Sequence, residues 1–293
     1  MKTIAIIIPW FGPWPFWKDL FFQSCKKNDT IDFFFISDQE KPESVADGVN
    51  IHFHCLSFES YCAQISQKLN IDFRPQRAYK LCDLKPFYGI VHAEQIEKYD
   101  FWGYGDLDLV WGDIRSFYTD EVLENYDVLS THGDRLSGHL TLLRNKSEFT
   151  NACLRIPGWE KNLTVAENLA LDEQHFTRVF YPKVKLLWKV HKHIFLNLRG
   201  LDEWTLYNRF CSRFNRWVLG RRYLFKEQNT TPWAEGHWLE THWLYRDGHI
   251  TNQTNGEELI YLHFLSMKKK WEKTTLPNST SFDISFKGIE KLS

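Results

Sequence analysis

Two uninterrupted apolar runs of strand length open the chain, TIAIIIP at residues 3–9 and IDFFFIS at 31–37. A strand that is apolar at every position has no side to offer water, so both of its faces must be covered, as they are in parallel sheets flanked by helices. Pro9 closes the first run and FGPWPFW reads as a turn. Phe16, Leu20, Phe21 and Cys25 then recur at helical spacing before the second run, which predicts a strand–helix–strand opening. VNIHFH at 49–54 alternates as a shorter strand, and Ser57 can cap a helix carrying Phe58, Tyr61, Cys62, Ile65 and Leu69 on one face. From Arg77 to Tyr99 the apolar spacing predicts helix, kinked or broken at Pro86. YDFWGYG is a strand leading into an acidic loop, a helix starts at Asp113, and YDVLSTH at 126–132 and HLTLLRN at 139–145 add two strand candidates. The predicted class is α/β, with a mostly parallel, doubly wound sheet that places ligands at the carboxyl ends of its strands.

At 293 residues the chain can build one large α/β domain or a domain with an added lobe. Hydrophobic residues at 43 % and charged residues at 25 % exclude a mainly disordered chain. A formal net charge of -1 leaves no long-range field for nucleic acid, so any anion site must be local. Such a local basic segment spans 183–226, where Lys183, Lys185, Lys189, Lys192, Arg199, Arg209, Arg213, Arg216, Arg221, Arg222 and Lys226 face only Asp202 and Glu203. Within it, helical spacing puts Leu206, Phe210, Phe214 and Trp217 on one face and Arg209, Arg213 and Arg216 on another, which predicts a C-terminal helical, basic lobe. That face suits a membrane surface or the phosphate of a lipid-linked molecule, and equally a solvated flank of a packed helix.

The six cysteines are dispersed without a C-x-x-C pair, which predicts reduced thiols rather than a zinc knuckle or a disulfide framework. IAIII is too short for the core of a signal peptide, and the six N-x-[ST] sequons are read as accidents of composition; the expectation is a cytoplasmic protein. Aromatic residues reach 16 %, enough to line a sugar or base site as well as fill a core.

The densest chemistry lies in GYGDLDLVWGD at 103–113. Two carboxylates at i and i+2 on a strand-to-loop segment project to the same side and can face one hard cation. Magnesium or manganese accepts such oxygens and leaves coordination positions for a diphosphate. The plain alternative is a solvated acidic turn. A haloacid-dehalogenase-type phosphatase also carries D-x-D after a strand, but there the motif opens the sheet and is followed by Thr, whereas DLDLV comes after about a hundred residues of this chain.

With these stretches in hand the chain resembles GT-A-fold glycosyltransferases, in particular a bacterial polysaccharide-biosynthesis group with a D-x-D motif. IIIPWFGPWPFW and IDFFFISD are similar to the first two strands of such enzymes, RAYKLCDLKPFYG to the segment before the motif, and FWGYGDLDLVWGDI to the motif itself. SGHLTLLRN, ALDEQHF and LHFLSMKKKW resemble the later elements. The resemblance implies a nucleotide-sugar-binding part over 1–150 and an acceptor-side and C-terminal part of the same domain over 151–293.

It further implies Mn2+ or Mg2+ held by Asp106, Asp108 and His263, with a UDP-sugar as donor. Asp38, Lys80, Asp83 and Lys85 would line the donor pocket, Gly138 and His139 would approach the transferred sugar, and Lys268 would meet the diphosphate. The glycine that the family carries between this His and Lys is missing here, so Lys268, Lys269 and Lys270 all remain open for that role. Asp172 and Glu173 would face the acceptor, as base in an inverting reaction or as stabiliser of an oxocarbenium-like centre in a retaining one. The implied partners are a nucleotide sugar and a glycan or lipid-linked acceptor at the cytoplasmic face of the inner membrane, with capsule or lipopolysaccharide synthesis as the setting and no nucleic acid. A binding module without turnover, for nucleotide or carbohydrate, is the alternative.

Overall fold

The computed structural model describes residues 1–45, 48–181, 203–228, 230–234, 237–271, 276 and 279–292. Its centre is built from β1 (Ile4–Trp10), β2 (Ile31–Ser37), β3 (Ile51–Cys55), β4 (Phe101–Gly105), β5 (Leu109–Trp111), β6 (Val128–Ser130), β7 (Leu140–Arg144) and β8 (Tyr223–Phe225). All but β5 form one sheet in the order β3-β2-β1-β4-β7-β6-β8. β1 to β4 are parallel, β7 runs antiparallel to both β4 and β6, and β8 is parallel to β6.

The apolar runs behave as their composition demands. Ile4, Ile6 and Ile8 enter one core with Phe21, Phe22 and Cys25 of α1 (Lys18–Lys27), while Ala5 and Ile7 enter another with Tyr61, Cys62, Ile65 and Leu69 of α2 (Phe58–Leu69). The two helices therefore cover opposite faces, and the sheet is a mostly parallel α/β sheet with helices on both sides. Ser57 caps α2 by accepting the Ser60 N–H, and Asp113 caps the short helix Ile114–Phe117.

The stretch 77–99 is helical and broken near Pro86, but its first segment is not α-helical. Ala78–Phe87 is a 3₁₀ helix, followed by the single turns Tyr88–Val91 and Ala93–Ile96. Pro86 removes a donor from any continuous helix. In addition, three-residue turns bring positions three apart into line, which puts Lys80 over Asp83 to form a buried ion pair at 2.9 Å.

The C-terminal part contains more sheet than the basic composition suggested. β9 (Trp233–Ala234) and β10 (His237–Trp238) make a short hairpin. β11 (Trp243–Arg246) and β12 (His249–Asn252) are followed by β13 (Tyr261–His263), then by β14 (Ser281–Ile284) and β15 (Ile289–Lys291). β12-β11-β14-β15 form an antiparallel sheet that packs Trp243, Tyr245 and Phe282 into a third core with Leu20 of α1 and Val110 of β5. β13 leaves that sheet to pair with β5. The helix Glu203–Trp217 also differs in detail from its prediction. Among its described side chains Leu206, Asn208, Cys211 and Asn215 are buried, whereas Trp217 is 76 % exposed. Lys183, Lys185, Lys189, Lys192, Arg199 and Asp202 lie outside the described residues. Among the described residues no helix is long and apolar enough to cross a membrane.

Candidate functional site

The strand order reverses beside β1: the chain goes from β1 outward to β2 and β3, then returns to β4 on the other side. In sheets of this kind the crevice at such a reversal, at the carboxyl ends of the strands, is where ligands bind. The loops leaving β1 and β4 meet there, because the Trp17 indole donates to the Leu107 carbonyl at 2.9 Å. Leu107 is the buried middle residue of the acidic turn, so Asp106 and Asp108 are displayed on either side of it.

Asp108 receives its companions from far along the chain. β13 pairs with β5 so that His263 opposes Leu109, and the Phe264 N–H donates to the Asp108 carbonyl at 2.9 Å. This register brings His263 Nε2 to 3.3 Å from Asp108 Oδ2, and the Lys268 ammonium binds the same oxygen. Burial by itself would raise the Asp108 pKa, but the His263 hydrogen bond and charge, with Lys268, hold it well below the usual carboxylate range. Of the three lysines left open by the sequence, Lys268 is the one on Asp108; Lys270 lies 4.5 Å from the Phe286 ring centre, and Lys269 is exposed.

Asp106 faces the other way. Lys85 Nζ donates to Asp106 Oδ1 at 2.6 Å and to the Gly138 carbonyl at 2.8 Å, and lies 3.7 Å from Asp172 Oδ2. Burial would pull the Lys85 pKa down, yet Asp106, Cys82 and Asp172 outweigh it and keep the ammonium charged. The Asp106 pKa is raised, by burial first and by Asp108, against the opposing charge of Lys85. Asp172 sits in a π-helical turn, Leu171–His175, where burial, only partly offset by Lys85, pushes its carboxyl up to about 7. Glu173 Oε1 accepts the Gly138 N–H at 3.2 Å. A Cβ on residue 138 would stand 2.9 Å from Asp172 Oδ2 and 3.1 Å from Glu173 Oε1, so only glycine lets both carboxylates come this close.

Two of the residues expected at the donor pocket are placed elsewhere. Lys80 and Asp83 do not line this site. The Lys80 ammonium, 2 % exposed, binds Asp83 and the carbonyls of Asn162 and Glu167, while Asp83 accepts the N–H groups of Leu169 and Leu171. Their polar groups are engaged in tying the 3₁₀ helix to the segment that ends in Asp172. Asp38 is exposed at the end of β2, and its Oδ1 accepts the Gly12 N–H at 3.0 Å, which fixes the loop after β1.

His139, expected near the sugar, lies against His263 with ring centres 3.7 Å apart and the rings tilted by 38°. The structure adds two residues that carried no spacing signal, His132 and Tyr79; the His132 ring lies 5.9 Å from that of His139. Burial, ahead of the two neighbouring histidines, lowers the His139 pKa well below its ordinary value, so that ring is neutral near pH 7. Tyr79, 70 % exposed, lies on the Lys85–Asp172 side, and its hydroxyl pKa is raised by Cys82, by burial, and by Asp172 and Asp106.

The donor set of Asp106, Asp108 and His263 fits a divalent ion in chemistry, two carboxylates and an imidazole. His263 Nδ1 is buried without a hydrogen-bond partner among the described residues. Lys85 meets only Oδ1 of Asp106, and Lys268 and His263 meet only Oδ2 of Asp108, so each carboxylate keeps an oxygen in reserve. Among the described residues no three such donors already stand at ligand spacing.

Fold and site together define an α/β protein with a polar cluster of carboxylates, lysines and histidines at the switch point of its sheet. Residues 6–293 match DUF6625, a family of unknown function, and the chain belongs to that family. No curated protein matches the sequence. Among solved structures it is similar to the glycosyltransferase GlyE of Streptococcus pneumoniae TIGR4, with 13 % identity, 80 % of this chain and 70 % of that one covered, and a TM-score of 0.35. It is also similar to the galactosyltransferase LgtC in complex with donor and acceptor sugar analogues, at 13 % identity, 58 % and 71 % coverage and a TM-score of 0.33. For mouse xyloside xylosyltransferase 1 the values are 11 %, 61 % and 79 %, and 0.32. Scores this low leave the functional reading to the site itself.

Proposed function

We propose that this protein is a metal-dependent glycosyltransferase that moves a sugar from a nucleotide diphosphate donor, UDP-linked by preference, to a glycan or lipid-linked acceptor in surface polysaccharide synthesis. The observation that carries the reading is the Asp106-Leu107-Asp108 turn at the sheet's switch point, met by His263 and Lys268 on one side and by Lys85 with Asp172 on the other. Asp106, Asp108 and His263 would hold Mn2+ or Mg2+, which supplies a Lewis acid for the departing diphosphate when bound. Lys268, on a short 3₁₀ turn beside Asp108, would turn its ammonium to a phosphate oxygen.

Asp172 and Glu173 serve the acceptor side. A carboxyl at about 7 is poised to exchange a proton near neutrality. In an inverting transfer it takes the proton of the acceptor hydroxyl as that oxygen bonds to the anomeric carbon and the carbon–oxygen bond to the diphosphate breaks. In a retaining transfer the same group faces the oxocarbenium-like centre. Neutral His139 and the close Gly138 leave the sugar a surface without added charge.

The deciding experiment measures nucleotide release from UDP-sugars with and without manganese in the wild type and in Asp108→Asn. The expected result is metal-dependent release that falls roughly a hundredfold in the variant, the scale on which a lost charge-stabilising group acts. Release unaffected by the substitution would end the assignment of the site. A second reading is favoured by the lysines already resting on both carboxylates: a nucleotide- or carbohydrate-binding module without turnover. Tight UDP binding with no release from any donor selects it.

A further inference from the structure

The helix Glu203–Trp217 and β8 enclose a cavity of about 390 Å3, within the size range of small-molecule sites, that has no part in the donor chemistry above. Arg209, Arg213, Arg216 and Lys226 line it together with the rings of Trp217 and Tyr223. Among the described residues none of these four cations has a carboxylate at ion-pair distance; the Arg216 guanidinium lies over the Trp217 ring at 5.2 Å. The one acid among the described lining residues, Glu227, is turned aside, with Oε2 accepting the Gly133 N–H at 2.9 Å and Oε1 lying 3.5 Å from His132 Nδ1. Cations gathered on one cavity repel one another, and their arrangement becomes favourable when an anion joins them. Guanidinium groups meet phosphate or carboxylate through paired hydrogen bonds, and flat rings with polar edges suit the faces of a saccharide.

A continuous row of contacting side chains joins the wall of the cavity to the donor site. Glu227 touches His132, His132 neighbours His139, His139 stacks on His263, and His263 meets Asp108. We infer that this cavity is the acceptor subsite, and that it takes a saccharide carrying a phosphate or carboxylate group. The inference rests on the transferase reading and specifies its acceptor. A lipid surface is the rival occupant, since Trp217, Val218 and Leu219 are exposed beside the cavity. The cations line a concavity that a plane of headgroups would not fill, and this favours the saccharide.

Calorimetric titration of the full chain at low salt with mannose 6-phosphate, glucuronic acid, inorganic phosphate and glucose tests the idea. The charged sugar of the matching kind binds saturably, inorganic phosphate binds more weakly than mannose 6-phosphate if the anion is a phosphate, and glucose does not bind. Arg209→Gln with Arg213→Gln weakens that binding by roughly tenfold or more, as loss of charge-assisted hydrogen bonds requires, while UDP–manganese binding is unchanged. Lys226→Gln, directly after β8 and off the helix, repeats the effect in a fold with an intact helix; circular dichroism checks both variants. Equal affinity in wild type and variants, or glucose binding as well as the charged sugars, overturns the subsite. So does arginine-dependent flotation with phosphatidylserine vesicles that mannose 6-phosphate and glucuronic acid fail to displace, which assigns the cations to a membrane surface. Anion binding without any UDP binding overturns the transferase reading and with it the acceptor role, while the anion site stands.

Discussion

Asp172 and Asp108 share one site, yet their surroundings drive them apart. Burial lifts the Asp172 carboxyl to about 7, while His263 and Lys268 overcome burial at Asp108 and hold it ionised. An unfolded Asp titrates near 3.9, so between about pH 4 and pH 7 the folded chain keeps a proton on residue 172 that the unfolded chain has lost. Stability therefore falls as pH rises through that window, by at most about 4 kcal/mol from this group. Asp172→Asn removes the titration, and its melting temperature is expected to exceed that of the wild type at pH 8.5 and to match it near pH 4. Thermal melts at the two pH values check this; a gap of equal size at both would refute the burial account. Residue by residue, legibility followed chemistry that is local in sequence. The acidic turn was readable because its strand, spacing and glycines are contiguous. Lys80 and Asp83 were not separable from Lys85, since all three lie on one polar stretch and only the neighbouring chain at 162–171 determines which lysine turns to which carboxylate.

At the level of elements, the strand β5 and its partner β13 make the site possible. Gly112 directly follows β5, and a Cβ there would collide with the Leu259 carbonyl, a backbone atom that cannot step aside. Gly112→Ala is expected to destabilise the protein by about 1–3 kcal/mol through overpacking and, by pushing the two strands apart, to weaken manganese-dependent UDP binding. Urea unfolding and calorimetry read the two effects; an unchanged unfolding midpoint would show that the strands have slack. Elements with one strong periodicity were visible in the sequence: β2 and α2 appear where predicted. The antiparallel C-terminal sheet was overlooked although YRDGHI held a hairpin cue, for Asp247 and Gly248 turn at φ +50 and +94, angles that this dipeptide accommodates. The 3₁₀ helix could not be foreseen from apolar spacing, because buried polar contacts to distant chain decide it.

For the molecule as a whole, the sheet order puts residues from distant stretches into one crevice, with 160 positions separating Asp108 from Lys268. A ligand held by all of them binds only the native chain. UDP with manganese at a hundredfold excess over its dissociation constant should add about 2.7 kcal/mol of stability, seen as a rise in melting temperature that manganese or UDP alone does not reproduce. An identical melt with and without the pair would remove the crevice from consideration. This convergence was the least legible part of the sequence: His263 and His139 were named by resemblance alone, while His132 beside His139 and Tyr79 on the Asp172 side arrive through tertiary packing.

The β13–β5 ladder has a consequence for the timing of synthesis. Both aspartates emerge from the ribosome in the first half of the chain, but the histidine and lysine that face them arrive only after Tyr261 is clear of the exit tunnel and can zip onto Leu109–Trp111. A nascent chain interrupted before that point holds an acidic corner with no counterweight on the Asp108 side, so competence for the proposed chemistry appears late and all at once.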